Sequence, residues 1–189
     1  MEATQDRFRA MPKVELHLHL EGAIRPSTVE ELAHRFDPSF RIADWEWTRP
    51  GFRFADLLDF VSTMRRMLNM ALAEIDDYAR VTYELLHDLA DENVVSAEPS
   101  VSLNRLARMG LDMGDTLRAV HDARLRAEAE RDIRVGIIVA FGRGGGLEVA
   151  EGCVKRFAEW RELGVVGIDL HGAEDAGPAA PFADVYRAA

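Results

Sequence analysis

The chain has 189 residues, of which 48% are hydrophobic and 30% charged, and this mixture is typical of a folded globular domain. Its net charge of −10 argues against nucleic acid or an anionic membrane as the main partner, because both would repel an acidic surface. The single cysteine, Cys153, excludes an internal disulfide and any zinc site built from several cysteines. No apolar run reaches the roughly 20 residues of a membrane helix, and the charged N-terminus lacks a secretory signal, so we expect a cytoplasmic protein.

Short apolar runs alternate with longer helical patterns, as in parallel strands connected by helices. In chain order the predicted elements are a strand at 13–20, a helix after Pro26, a helical insertion at about 44–72, a helix at 75–90, a strand at 94–103, a helix at 115–131, a strand at 134–141, a helix at 147–163, a strand at 165–170 and a last helical turn from Pro181. These are four strand–helix units, whereas a complete eight-fold barrel takes eight units and typically about 250 residues. The pattern therefore predicts a small open sheet or half of a barrel, and its ending inside a helical pattern favours the half barrel.

Several local features carry their own expectations. Ser27 is predicted as the N-cap of the first helix, with Glu30 completing a capping box. Pro99 weakens the strand at 94–103, because proline cannot donate to a ladder of hydrogen bonds. Leu125 is expected to face the core from the helix at 115–131, and Cys153 to be buried on a helix.

The most specific chemical feature is the run from Glu15 to Gly22, which contains His17 and His19. Residues two apart on a strand point the same way, so the two imidazoles are expected to lie side by side. They stand at the carboxyl end of the first strand, where the active sites of parallel barrels lie. Because neutral imidazoles are good zinc ligands, we predict a metal site here rather than a chance pair of core histidines.

The residues from Met11 to Pro26 resemble the opening strand of the adenosine deaminase family, within the amidohydrolase superfamily. The run from Val165 to Glu174 resembles the family's fourth strand and the turn after it, and the run from Phe54 to Phe60 resembles its helical insertion beside the active site. The resemblance implies an α/β fold, a TIM-type (β/α)8 metal-dependent hydrolase barrel. Residues 1–189 would form its N-terminal half, with about four βα units.

The resemblance also implies a reaction, in which zinc-activated water attacks C6 of a 6-aminopurine and ammonia leaves. By position, His17 and His19 would be zinc ligands (Zn²⁺ being the cofactor), and His19 would also lie near the substrate. The backbone N–H of Gly172 would face the purine edge. Glu21 holds the position that contacts the sugar hydroxyl, where the usual residue is Asp. The longer side chain would crowd a ribose there, and family members with Glu at this position include deaminases of adenine, of aminofutalosine and of other modified adenines. Adenosine, adenine and aminofutalosine all stay candidate substrates.

The family's other catalytic residues cannot be assigned in this chain. The third zinc-binding His, the Glu that protonates the purine, the second catalytic His and the zinc-binding Asp belong to later strands, which we expect beyond Ala189. A catalytic zinc normally has three protein ligands. We therefore expect this chain alone to hold zinc weakly and to be inactive.

The remaining histidines and the glycine-rich run give weaker indications. His171 ends the fourth strand on the same face as Asp169, and a loop residue without a chemical role is favoured over a contact with substrate or metal. The run Gly142-Arg143-Gly144-Gly145-Gly146 lacks the ending of a phosphate loop and is predicted as a turn. Solvated helix faces are expected for His34, His87 and His121.

Two other functions remain open from the sequence. A metal-dependent phosphoesterase of the PHP type also begins with two histidines on a strand, but Leu20-Glu21-Gly22 differs from the Ser-Asp-Gly-like turn expected there. A half barrel could also act as a non-catalytic binding or assembly module that associates with itself through its open sheet edges. A small-molecule purine is the expected partner, without nucleic acid or membrane.

Overall fold

The computed structural model describes residues 2–144 and 146–189, and a parallel sheet forms its centre. The strands are β1 (Lys13–His19), β2 (Val94–Ser102), β3 (Arg134–Val135), β4 (Ile137–Gly142) and β5 (Val165–His171). The helices are α1 (Glu2–Ala10), α2 (Pro26–Ala33), α3 (Leu57–Ala71), α4 (Ile75–Asp91), α5 (Leu103–Met109), α6 (Met113–Glu130), α7 (Leu147–Cys153), α8 (Phe157–Glu162) and α9 (Ala183–Ala188). The strand order is β1-β2-β4-β5, with β3 paired to β2, so the predicted succession of βα units is confirmed.

The helices cover one face of this sheet. Val101 of β2 lies beside Val139 of β4, and Phe141 lies beside Leu170 of β5, and all four pack in one core with helix side chains such as Trp160. Because neighbouring residues of a strand alternate between faces, the residues between them point to the other face of the sheet. The opposite face therefore receives the polar residues of the candidate site.

The predicted insertion at 44–72 contains the 3-10 turn Glu46–Thr48 and the helix α3, and another 3-10 turn, Ile42–Asp44, leads into it. It packs against α2 through a second, smaller core, to which Val29, Phe40, Met67 and Ala71 contribute. The bounds of the insertion and of the domain stay predictions. No helix among the described residues is long and apolar enough to cross a membrane, and the cytoplasmic location also stays a prediction.

Helix α2 begins before the residue that the sequence predicts as its cap. Pro26 is its first residue and Arg25 is the N-cap, so Ser27 lies inside the first turn and the predicted capping box is wrong. Proline is favoured at this position because its φ is already helical and its missing N–H needs no partner there. The Glu30 carboxylate instead accepts the N–H of Ile42 at 3.0 Å, which ties α2 to the chain that follows it.

Strand β2 lies inside the sheet in spite of Pro99, and it ends one residue earlier than predicted. Leu103 begins helix α5, which the sequence analysis missed. Ser102 caps this helix by accepting the N–H of Arg105, and Gly110 ends it with φ 69°. The sequence does contain a signal for this helix, because Ser102 can act as an N-cap and Gly110, eight residues later, can end a helix.

Two further elements are divided where the sequence predicts continuity. Gly136 lies between β3 and β4, at a position where a Cβ would be only 2.5 Å from Cγ2 of Val166. The predicted helix at 147–163 consists of α7 and α8 with a 3-10 turn at Val154–Arg156 between them. In the glycine-rich run, Arg143 and Gly144 form a turn as predicted, and Gly145 lies outside the described residues.

Helix α6 turns a narrower face to the core than predicted. Leu117 and Val120 are buried, and the stripe continues through Ala123 and Ala127. Leu125 falls between these positions and is 47% exposed, so its predicted inward placement is wrong. Cys153 is buried at the end of α7, as predicted.

Candidate active site

The carboxyl end of β1 presents two imidazoles on one side. The ring centroids of His17 and His19 lie 5.3 Å apart with their planes 87° to each other. Oγ of Ser100, on the neighbouring strand β2, lies 3.1 Å from Nδ1 of His19. When Nδ1 donates to this hydroxyl, Nε2 keeps the lone pair that a metal ion needs. The structure thus brings the two predicted ligands together and gives one of them a partner that orients its ring.

Glu21 lies in the turn that follows β1, and it is buried. Its Oε1 accepts the backbone N–H of Ser102 at 2.8 Å. Burial raises the pKa of the Glu21 carboxyl, while the Ser102 N–H and the positive charge of Arg105 oppose that rise. The side chain is therefore held in place by β2, and proton uptake is easier there than on a carboxylate in water.

The end of β5 completes this side of the site. The ring centroid of His171 lies 6.0 Å from that of His19, and its carbonyl accepts the N–H of Arg143 at 3.0 Å. Burial lowers the pKa of His171, and repulsion from His19 lowers it further, so a neutral imidazole is favoured. Gly172 follows with φ 101°, a conformation that side chains other than glycine rarely adopt.

A cavity of about 270 Å³ lies against His19, Glu21 and His171. Helix α3 forms one wall with apolar residues and Arg65, and helix α5 adds two more arginines. A larger hollow of about 810 Å³, beside Trp45 and Trp47, contains no histidine. Chemistry rather than size therefore identifies the candidate site. Its lining residues are His19, Glu21, Gly22, Phe60, Val61, Met64, Arg65, Leu68, Ser102, Arg105, Arg108 and His171.

The three arginines were missed by the sequence analysis. Arg105 and Arg108 are one helical turn apart on α5, and Arg65 lies on the amphipathic helix α3. Their spacing alone would not have distinguished them from exposed arginines on any helix, because their common cavity depends on how α3 and α5 pack.

The donors at this site suit zinc but do not complete a ligand set. His17 and His19 supply two imidazole nitrogens, a ligand type that zinc favours. Within residues 2–144 and 146–189, no three His, Cys, Asp or Glu side chains converge where one ion could sit. The described residues therefore fit a zinc site in part.

A half barrel with its candidate site at the carboxyl ends of the strands is the arrangement of a TIM-type barrel. The family model described as adenosine deaminase matches residues 12–189, so the chain belongs to the adenosine deaminase family. This membership decides against the phosphoesterase alternative. Neither the roles of the individual site residues nor their ligands follow from it.

Two curated relatives with similar sequences have different named activities. An adenine deaminase of Cupriavidus metallidurans is 29% identical over 99% of this chain and 52% of its own length. Adenosine deaminase 1 of Streptomyces coelicolor is 33% identical over 96% of this chain and 48% of its own length. The chain thus spans about half the length of these relatives, one of which is an adenine deaminase and the other an adenosine deaminase.

Solved structures confirm the barrel class. An amidohydrolase from Burkholderia ambifaria with bound Zn has a TM-score of 0.81 and 25% identity, covering 100% of this chain and 52% of that one. The apo N6-methyl-AMP deaminase of Arabidopsis thaliana has a TM-score of 0.77 and 29% identity, covering 97% of this chain and 56% of that one. A partial barrel of the amidohydrolase type accounts for both matches.

Proposed function

We propose that this chain supplies one half of the active site of a zinc-dependent purine deaminase, which hydrolyses a 6-aminopurine to the 6-oxo product and ammonia. The observation that carries the proposal is the pair His17 and His19, side by side at the carboxyl end of β1 and next to the cavity. Family membership and the purine deaminases among the relatives support the reaction class.

In this proposal His17 and His19 hold the zinc, which when bound supplies a Lewis acid that activates water for the displacement of ammonia. Ser100 keeps the ring of His19 in position for that role. Catalytic residues in the strict sense stay unassigned within the chain, as the sequence analysis predicts.

The substrate would lie against His19, Glu21 and Gly172. Glu21 stands in a position to hydrogen-bond a polar group of the purine or its substituent through the oxygen that Ser102 does not occupy. The positive φ of Gly172 lets the backbone turn at the end of β5 without a side chain that would fill the purine's place. A 6-aminopurine is the expected small-molecule partner.

The test begins with zinc binding to the purified chain and to His17→Ala, His19→Ala and, as a matched control, His121→Ala. His121 lies on α6 and contacts Arg124, away from the cavity. We expect each site variant to weaken zinc binding by about tenfold or more, and the control to bind like the parent chain, because only the site histidines ligate. Equal zinc binding by all four proteins would contradict the assigned metal site.

Ammonia release from adenosine, adenine and aminofutalosine tests the reaction. Turnover of any of them by the chain with added zinc would establish the class and overturn the expectation that the chain alone is inactive. Zinc binding at the two histidines without turnover would agree with that expectation. Absence of both would leave the non-catalytic assembly module as the better account, and light scattering would then show whether copies associate.

A further inference from the structure

Three arginines surround a cavity in a chain that is acidic as a whole. Arg65 comes from α3, and Arg105 and Arg108 come from α5, while the net charge of the chain is −10. Glu21 is the one carboxylate among the lining residues, and it is buried and hydrogen-bonded to Ser102. The cavity is therefore positively charged against the trend of the surface around it.

Arg105 has a structural role that accounts for its place. Its guanidinium donates to the carbonyl oxygens of Leu68 and Leu72 and to Oδ1 of Asn69, at 2.7, 2.9 and 3.0 Å. These bonds join α5 to the C-terminal end of α3. Its side chain is buried and its charge stays in the wall of the cavity.

Arg65 and Arg108 have no such partners. Among the described residues, neither guanidinium lies within 4.0 Å of a carboxylate oxygen. Elsewhere in the chain such pairing is common, as in Arg25 with Asp88 and Arg80 with Glu31. The two cavity arginines therefore keep their hydrogen-bond donors available.

The fields of these groups overlap. Partial burial lowers the pKa of Arg108, and repulsion from Arg65 and Arg105 lowers it further. Three guanidinium groups held close together, with the buried Glu21 as the one carboxylate of the lining, favour the binding of an anion, since the anion relieves their repulsion.

We propose that Arg65 and Arg108 form an anion subsite, and that the preferred substrate is a 6-aminopurine that carries a negatively charged group. This inference rests on the proposed function and narrows its substrate class. A phosphate ester and a carboxylate share the required chemistry, because a guanidinium can bind both with two parallel hydrogen bonds. Neutral adenosine and adenine would leave both arginines without a partner.

The experiment measures ligand binding by calorimetry, so that it does not depend on turnover. AMP represents the phosphate, aminofutalosine the carboxylate, and adenosine the neutral nucleoside. The variants are Arg65→Gln and Arg108→Gln. The matched control is Arg66→Gln, which removes the same charge from the next position of α3, where the guanidinium lies over the ring of Trp45 instead. Circular dichroism melting checks that each variant is folded.

We expect the parent chain to bind at least one of the two anionic ligands about tenfold or more tightly than adenosine, since hydrogen bonds to charged groups are the stronger ones. Each cavity variant should lose most of that preference, while Arg66→Gln should keep it. Arg108→Lys should keep part of it, because lysine retains the charge but loses the paired donors. Raising the salt concentration should reduce the preference in the parent chain.

The relative affinities of AMP and aminofutalosine then decide which anion the subsite takes. Equal affinity for all three ligands, a preference that survives in both cavity variants, or no binding of the anionic ligands would overturn the anion subsite. Those outcomes leave the deaminase proposal standing, because zinc binding and ammonia release test it separately. A preference for the anionic ligands without ammonia release would in turn support the subsite alone.

Discussion

Strands β1 and β2 meet at the candidate site but differ in their surroundings. β1 pairs only with β2 among the described residues, and its Val14 and Leu16 are 57% and 61% exposed. β2 pairs on both sides, and Val101 on it is fully buried. β1 and the turn after it carry His19 and Glu21, whereas β2 contacts both side chains, through Ser100 on His19 and Ser102 on Glu21. The candidate site residues and the serines that contact them thus belong to different parts of the sheet.

The largest expected effect is on the free energy of unfolding, when a leucine is replaced by alanine in each of the two regions. Leu103→Ala, directly after β2, should lower the free energy of unfolding by about 3 kcal/mol, because this side chain is fully buried. Leu16→Ala in β1 should change it by less than about 0.5 kcal/mol, since Leu16 is already largely exposed. Urea denaturation measures both. Similar losses in the two variants would contradict the contrast between the exposed β1 and the buried segment that follows β2.

The next effect concerns the hydrogen bond that links α5, directly after β2, to β4. Oδ1 of the buried Asn104 accepts the N–H of Gly142 at 2.7 Å. Asn104→Ala leaves that N–H without its acceptor and should cost about 2 kcal/mol in urea denaturation. Asn69→Ala serves as the control and should cost less, because Arg105 keeps its two carbonyl partners. A larger loss in the control would contradict the importance of this link.

A smaller effect isolates the support that β2 gives to the metal site. Ser100→Ala removes the hydroxyl beside Nδ1 of His19, and zinc binding should weaken about tenfold. The melting temperature should change little. Ser96→Ala, on the same strand but not in contact with either histidine, should bind zinc like the parent chain. If both serine variants bind zinc equally well, β2 does not orient His19.

The smallest expected effect concerns Cys153, whose rate of alkylation reports on access to the core that β2 helps to form. Burial raises the pKa of this thiol to about 11, so the reactive thiolate is scarce at neutral pH. Alkylation at pH 8 should be about tenfold or more slower in the folded chain than in urea, and its rate should still increase above pH 9. Leu103→Ala should speed it by loosening the same core. Equal rates with and without urea would mean that this core is open.

The sequence was sufficient for the features that depend on local pattern. The alternation around His17 and His19, with the succession of strands and helices, predicted a partial barrel and the imidazole pair. It was insufficient for the features that depend on contacts between residues far apart in the chain. Helix α5 was missed because Leu103 looks like a continuation of an apolar strand. The contact of Gly136 with Val166 and the convergence of Arg65 with Arg108 likewise depend on packing that no short window contains.

The contacts from β2 also set the order in which the site can appear as the chain folds. His19 and Ser100 are 81 positions apart, and so are Glu21 and Ser102. Closing such a long loop costs entropy before any contact repays it, so parallel pairing of this kind is slow. During synthesis both histidines emerge long before the strand that orients them. A nascent chain that ends before Val94 would expose the two imidazoles without the serine support that the folded chain gives them.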